Sequence, residues 1–88
     1  MSDVYARIMM NDVQRLIVES LKNGEKKTSQ IAEELSKVSP AGVSPLIVYL
    51  HAWYLEQKGI VESKGEGVER TYKLTDKWKE LESKAKQK

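Results

Sequence analysis

A short hairpin pattern between residues 60 and 74 constrains this chain more than any other feature of its sequence. Ile60-Val61 is typical of the start of a strand, and Thr71-Tyr72-Lys73-Leu74 is typical of its partner. Between them lies Lys64-Gly65-Glu66-Gly67, in which two glycines permit a tight reversal. A two-stranded hairpin is not stable alone in water, so it must pack on other elements. The pattern therefore predicts a small β-hairpin within a mostly helical chain.

The other segments have helical periodicity. Apolar residues between 3 and 23 recur every three to five positions, and Asn23-Gly24 ends the pattern because glycine readily adopts a left-handed conformation. Asn11-Asp12 can cap a fresh helix start, so this segment is either one long helix or a helix with a break there. The predicted elements are a first helix with an N-terminal extension over 3–23, further helices over 29–37, 44–58 and 75–88, and the hairpin over 60–74.

Residues with capping preferences bound the later helices. Thr28 or Ser29 is expected to cap the second helix, and Ser44 the third. Gly59 closes the third helix, and Thr75 caps the last one. In the third helix, one side is assigned to the core and the other faces outward. The core side holds Ile47, Val48, Ala52 and Leu55, and the outer side holds Ser44, Leu46, Tyr49, Leu50 and Trp53.

Composition narrows the class of protein. The chain has 88 residues, enough for one domain over 1–88, with 40% hydrophobic and 32% charged residues. It has no cysteine and a single histidine, His51, which argues against disulfides, a zinc site or any other metal site. No phosphate-binding glycine loop or catalytic constellation is present, so no catalytic residue, enzyme activity or cofactor is expected.

Charge and hydropathy bear on partners and location. The net charge of +2 is only weak evidence for a nucleic-acid partner. The N-terminus has neither a basic region nor a clean apolar run, and no stretch of 18 apolar residues exists. We therefore expect no membrane association and a cytoplasmic location, at the nucleoid if the chain binds DNA. The short, cysteine-free and charge-rich chain suits an archaeal or viral source.

Two stretches resemble a known family. The first is Val48-Tyr49 followed by Leu55-Glu56-Gln57-Lys58-Gly59-Ile60-Val61, and the second is Arg70-Thr71-Tyr72-Lys73-Leu74-Thr75-Asp76-Lys77. Together they resemble winged helix-turn-helix transcriptional regulators of the PadR, MarR and ArsR type, most closely PadR-like ones. The match covers most of the chain. It departs at Ala52 and Trp78, where many relatives have leucine and glycine.

The resemblance implies a three-helix core with a two-stranded wing and a C-terminal helix, which binds double-stranded DNA. In such a fold the third helix enters the major groove and the wing touches the flanking backbone. The expected DNA contacts are Lys27, Ser29, Ser44, Leu46, Tyr49, Lys64, Arg70 and Lys73. The DNA contact is the preferred role for Tyr49, with helix packing as the alternative, and the alternative for the wing cations is that they are ordinary solvated charges.

The predicted recognition helix is unusually apolar. It carries no Arg, Asn, Gln or Lys before Gln57, and those residues supply most direct base readout. We therefore expect modest base specificity, with phosphate contacts and groove shape contributing much of the affinity. An apolar third helix is also what a winged-helix protein-docking module would have, so that function is the alternative. A nearly sequence-independent architectural DNA binder is a third.

A homodimer is expected from the small size and the resemblance. The N-terminal stripe of Val4 and Ile8 and the C-terminal stripe of Trp78 and Leu81 have no other obvious burial partner in so small a core. Two-fold pairing would set two recognition helices about one DNA turn apart, at ~34 Å. Nothing in the spacing of residues identifies a small-molecule effector.

Overall fold

A computed structural model describes residues 3–86, which form a mostly helical unit with a small antiparallel sheet, as predicted. The chain order is α1 (Asp3–Met10), α2 (Asp12–Leu21), β1 (Lys26–Lys27), α3 (Thr28–Val38), α4 (Pro45–Gln57), β2 (Val61–Lys64), β3 (Thr71–Leu74) and α5 (Asp76–Ala85). The ends of the predicted domain and of its last helix, residues 1–2 and 87–88, lie outside the described residues. Within the described range, no helix is long and apolar enough to cross a membrane.

The first predicted helix is two helices. Asn11 has an extended backbone, and its side-chain oxygen accepts from the backbone N–H of Gln14 at 3.0 Å. An asparagine with an extended backbone satisfies the free donors of a new helix better than it continues an old one. The break at Asn11-Asp12, one of the two expected arrangements, is therefore the one adopted.

The sheet has three strands in the order β1-β3-β2, one more than the predicted hairpin. Lys26 and Lys27 pair antiparallel with Tyr72 and Thr71 of β3. On the other side of β3, Lys64 pairs with Thr71, and residues 65–70 form the loop of the hairpin. A pair of lysines has no intrinsic strand preference, so β1 exists only because β3 offers it an edge.

One glycine, Gly59, determines where α4 ends. Gly59 has φ of +78°, its N–H donates to the carbonyl of Glu56 at 3.0 Å, and the N–H of Ile60 donates to Leu55 at 2.9 Å. This is the paired pattern of a Schellman motif, which satisfies the last carbonyls of a helix. At the other end, the Ser44 hydroxyl caps α4 as predicted by accepting from the Ile47 N–H.

Apolar side chains from every helix and from the hairpin meet in one core. Its buried members are Ile8, Ile17, Val18, Leu21, Ile31, Ala32, Leu35, Val48, Ala52, Leu55, Ile60, Val61, Tyr72 and Trp78. The prediction for Val48, Ala52 and Leu55 is confirmed, but the one for Ile47 is wrong. Ile47 is 41% exposed because the 100° turn between successive helical residues rotates it away from Val48 and out of the core.

The N-terminal and C-terminal stripes pack against each other within the chain. Ile8 and Trp78 are both buried, and the Tyr5 ring stacks on Trp78 with centroids 5.2 Å apart. Val4 and Leu81 are half-buried against the same core. The premise of the predicted dimer interface, that these stripes lack a partner in the chain, is therefore wrong. Ile8 and Trp78 offer no surface to a second subunit.

Candidate nucleic-acid interface

The outward face of α4 is an apolar stripe. Leu46, Leu50 and Trp53 are 53%, 52% and 53% exposed, and with Ile47 they form what is called here the α4 stripe. Spacings of four and three residues align them along one side of the helix. The indole N–H of Trp53 is the single polar hydrogen in this set. The stripe cannot form several hydrogen bonds, although it lies on the helix predicted to contact DNA.

Tyr49 and Arg70, both predicted DNA contacts, are brought together beside this stripe. The Arg70 guanidinium carbon lies 5.5 Å from the centroid of the Tyr49 ring. Its Nε donates to the carbonyl of Gly67 at 2.8 Å, and its Nη1 approaches Ser63 Oγ at 3.4 Å. The Ser63 hydroxyl in turn lies 3.1 Å from a carboxylate oxygen of Glu56 on α4. A cation is thereby held where the hairpin meets α4.

Ser44 and Leu46 lie at the N-terminal end of the same helix, and both are exposed. The Ser44 oxygen accepts from Ile47, but its hydroxyl hydrogen is still able to donate to a phosphate or a base. Three predicted contacts, Ser44, Leu46 and Tyr49, thus lie on the first part of α4.

Thr28 joins α3 to the hairpin loop. Its Oγ1 lies 2.7 Å from the carbonyl oxygen of Val68 and accepts from the Arg70 N–H at 3.1 Å, while its own N–H donates to the Arg70 carbonyl. The side chain is fully buried. The expectation that Thr28 or Ser29 caps α3 is therefore wrong. Lys27 is the cap residue, and its N–H donates to the side chain of Gln30 at 2.9 Å.

Ser29 binds a carboxylate of its own chain. Its N–H donates to Glu69 at 3.0 Å, and its hydroxyl donates to the other oxygen of the same carboxylate at 2.7 Å. Both donors that the predicted DNA contact would offer a phosphate are used by Glu69. The hairpin loop is consequently tied to α3 at two adjacent residues, Thr28 and Ser29.

The remaining predicted contacts lie on the outer face of the sheet. Lys27, Thr71 and Lys64 form one cross-strand row, and Lys73 pairs with Glu62 in the next position. Their neighbour Tyr72 is buried on the opposite face, since side chains alternate along a strand. Lys27, Lys64 and Lys73 therefore share a face that is separate from Arg70. The structure divides the predicted cations into two groups.

His51 adds no charge to α4 near neutral pH. Its Nδ1 lies 3.2 Å from the side-chain nitrogen of Gln14, which can only donate, so Nδ1 is the unprotonated acceptor. Partial burial lowers the pKa of His51 below its ordinary value. Residues 45–57 contain no Lys or Arg, and the carboxylate of Glu56 is the one charged side chain in that stretch.

Sequence reasoning missed Glu69 and the buried role of Thr28. Both act across about 40 positions of sequence, a separation that no local spacing rule reaches. The pairing of Glu69 with Ser29 has no signature in the sequence beyond an acidic residue within a loop.

Comparison with known proteins shows a similar fold in a solved structure. No family model matches the sequence, and no curated protein matches it. A solved structure of a transcriptional regulator from Clostridium thermocellum is similar, with a TM-score of 0.60 and 22% sequence identity. The alignment covers 98% of this chain and 92% of that one. The chain thus shares, over nearly its whole length, the fold of a transcriptional regulator.

Proposed function

We propose that this chain is a winged helix-turn-helix transcriptional regulator of the PadR-like type, which binds duplex DNA and has no catalytic role. In this proposal, α3 and α4 are the helix-turn-helix and the β2–β3 hairpin is the wing. The observation that carries it is Arg70, held over Tyr49 at the junction of the wing and α4. The fold shared with a transcriptional regulator supports it. A regulator of this kind acts in the cytoplasm, at the nucleoid.

The proposed contacts fall into two sets. Ser44, Leu46 and Tyr49 enter the major groove with the N-terminal half of α4, and Arg70 meets the adjacent backbone. Lys27, Lys64 and Lys73 on the sheet attract phosphates at longer range. Ser29 reaches a phosphate only if Glu69 releases it.

Fluorescence anisotropy of a labelled random duplex of about 30 base pairs tests the proposal, since that length spans several half-sites. The titration is run at two salt concentrations with the wild type and with Lys64, Arg70 and Lys73 changed to alanine. We expect salt-sensitive binding by the wild type. In the triple variant, the slope of log affinity against log salt should shrink by up to about three.

A matched control changes Arg7, Lys79 and Lys84 to alanine. It removes the same number and type of charges from exposed positions on α1 and α5. The control variant should bind like the wild type. Absence of wild-type binding at low salt, or equal loss of affinity in both triple variants, would contradict DNA binding through the wing.

We also propose that the chain acts as a homodimer. A domain of this size buries only around 60–65% of its unfolded surface, so a second subunit adds useful burial. Val4 and Leu81, half-buried on α1 and α5, are the remaining members of the proposed interface. Sedimentation velocity at micromolar concentration should report a dimer. A monomer at that concentration would rule out this part of the proposal.

The α4 stripe favours a second candidate, a winged-helix docking module. Contiguous exposed apolar residues on a small domain commonly mark a protein interface. A docking module that uses α4 would be indifferent to the wing substitutions and would not bind the duplex. Similar affinity for unrelated duplexes would instead indicate an architectural DNA binder.

A further inference from the structure

We infer that α4 recognises A·T-rich duplex DNA through the methyl groups of thymine, an inference that rests on the proposed function. The relevant residues are Leu46, Ile47 and Leu50, which occupy the first two turns of α4. That is the part of a recognition helix that lies deepest in the major groove.

The chemistry of the groove identifies the target. Among the groups that base pairs present in the major groove, the C5-methyl of thymine is the apolar one, and the others are hydrogen-bond donors or acceptors. Leu46 and Leu50 expose about half of their surface, and Ile47 exposes 41%. When a thymine methyl packs against such side chains, the apolar surfaces of both the methyl and the side chain are removed from water, which stabilises the complex.

The same face disfavours G·C pairs. A G·C pair presents two acceptors and an amino donor, an A·T pair presents as many polar groups, and all of them lose water without gaining a partner when they face leucine. The thymine methyl is what an A·T pair adds, so a G·C pair has this cost without the apolar contact. Residues 45–56 contain no Arg, Lys, Asn or Gln that would restore those hydrogen bonds. His51 points its Nδ1 at Gln14 and not into the groove. The expected preference for A·T over G·C therefore comes from the thymine methyl.

The charges around the α4 stripe match duplex DNA better than they match a protein surface that is only apolar. The α4 stripe itself is neutral, and the Arg70 guanidinium lies beside it, 5.5 Å from the Tyr49 ring. Lys27 and Lys64 form a further basic row on the sheet. A neutral apolar centre with the Arg70 cation at its edge is complementary to a groove floor of methyl groups beside a phosphate backbone.

Removing only the methyl groups tests the inference. Affinity is measured by anisotropy for an A·T-rich duplex and for the same duplex with deoxyuridine in place of thymidine. A buried methyl changes affinity by roughly fourfold, so three contacts predict a loss of tens of fold on this replacement. A G·C-rich duplex with 5-methylcytosine in place of cytosine regains a methyl at the same edge, and its affinity should rise over the unmethylated form.

Variants show which residues sense the methyl groups. Leu46→Ala/Leu50→Ala should reduce the preference for the thymidine over the deoxyuridine duplex from tens of fold to about fourfold, because only the Ile47 contact remains. Because both side chains are half-exposed, the variant should keep its fold, as checked by thermal unfolding. Val38→Ala removes an apolar side chain that is 65% exposed at the end of α3 and should keep the wild-type preference.

The outcomes separate this inference from the proposed function. Equal, salt-sensitive affinity of the wild type for the thymidine and deoxyuridine duplexes overturns the methyl readout but leaves DNA binding intact. Absence of binding to every duplex overturns both. If the Leu46→Ala/Leu50→Ala change then abolishes self-association in sedimentation, the α4 stripe belongs to a contact with a second copy of the chain.

Discussion

At the scale of single residues, Thr28 holds the hairpin loop in place. Replacing it with the similarly shaped valine removes Oγ1 and leaves the Val68 carbonyl and the Arg70 N–H without their partner. Since each unsatisfied buried group costs about 1–3 kcal/mol and two are left, Thr28→Val should lower the free energy of unfolding by at least about 2 kcal/mol. Urea denaturation followed by circular dichroism measures it.

Thr71→Val is the control for Thr28→Val, because Thr71 lies on the outer face of the sheet. It makes the same chemical change at a position suited to β-branched residues, and should alter stability by less than about 0.5 kcal/mol. Equal effects of the two changes would contradict the buried role of Thr28.

Glu69 places a negative charge inside the proposed DNA interface. Glu69→Gln retains an oxygen that can accept from Ser29 and removes the repulsion of phosphates. We expect severalfold tighter duplex binding at low salt, with the gain shrinking as salt rises. Glu80→Gln on α5 makes the same change away from the wing and should have no effect. If both variants bind like the wild type, Glu69 does not face the DNA.

His51 makes stability depend on pH. Burial lowers its pKa below 6.5, so the unfolded chain binds the proton at a pH where the folded chain does not. The free energy of unfolding is therefore fully retained above about 6.5 and falls as pH decreases through the window just below it. The lowered pKa values of Glu34 and Glu82, which follow first from hydrogen bonds to Lys26 and Lys22, act at more acidic pH.

His51→Gln isolates this dependence. Denaturation curves between pH 7.5 and pH 5.5 should show a flatter pH dependence for the variant than for the wild type, because glutamine does not titrate. The same slope in both proteins would mean that His51 does not titrate differently in the folded and unfolded states.

At the scale of elements, Gly59 determines where α4 ends and how it meets α5. A Cβ at Gly59 would carry a left-handed penalty of about 1–2 kcal/mol and would approach Lys77 Cδ to 3.2 Å. Gly67 has nearly the same φ, +76° against +78°, but a Cβ there meets nothing within 4 Å. Gly59→Ala should therefore destabilise more than Gly67→Ala, as measured by urea denaturation.

The excess in Gly59→Ala comes from Lys77, whose ammonium donates to the carbonyl of Lys58 at 2.9 Å. Adding Lys77→Ala to Gly59→Ala should cost less stability than Lys77→Ala costs in the wild type, because it relieves the close approach to the new Cβ. Additive losses would show that the close approach carries no cost.

The sequence predicted several helix starts and ends correctly. Ser44, Gly59 and Thr75 act as the sequence indicated, because a cap depends on a residue and its nearest neighbours. β1 was not predicted, since two lysines acquire a strand conformation only from pairing with β3. The same holds for α3, where the burial of Thr28 against the hairpin loop decides which residue caps the helix.

At the scale of the whole molecule, α1 and α5 close the core around Trp78. Trp78→Ala should cost about 3–5 kcal/mol, a large part of the stability of a small domain. Trp53→Ala removes the same side chain from the exposed α4 stripe and should cost less than about 1 kcal/mol. Chemical denaturation compares the two variants.

Trp78→Phe keeps the prediction testable if Trp78→Ala does not fold. Within the described residues, the buried Nε1 of Trp78 has no hydrogen-bond acceptor. Phenylalanine removes this donor and still stacks on Tyr5, so its cost should be well below that of alanine. A large loss in Trp53→Ala and a small one in Trp78→Ala would contradict the packing of α5 on α1.

The sequence by itself determined the approximate positions of the helices and of the β2–β3 hairpin, most of the core of α4 and the apolar character of its outer face, because these follow from periodicity and residue type. Only the tertiary structure decided which surfaces stay free. It buried Ile8 and Trp78 in the same core and left Ile47 exposed. It also divided the cations between Arg70, which lies beside Tyr49, and the lysines on the sheet. The physical reason is range: propensity and capping act within a few residues, whereas burial and the Thr28 and Ser29 contacts depend on groups about 40 positions away.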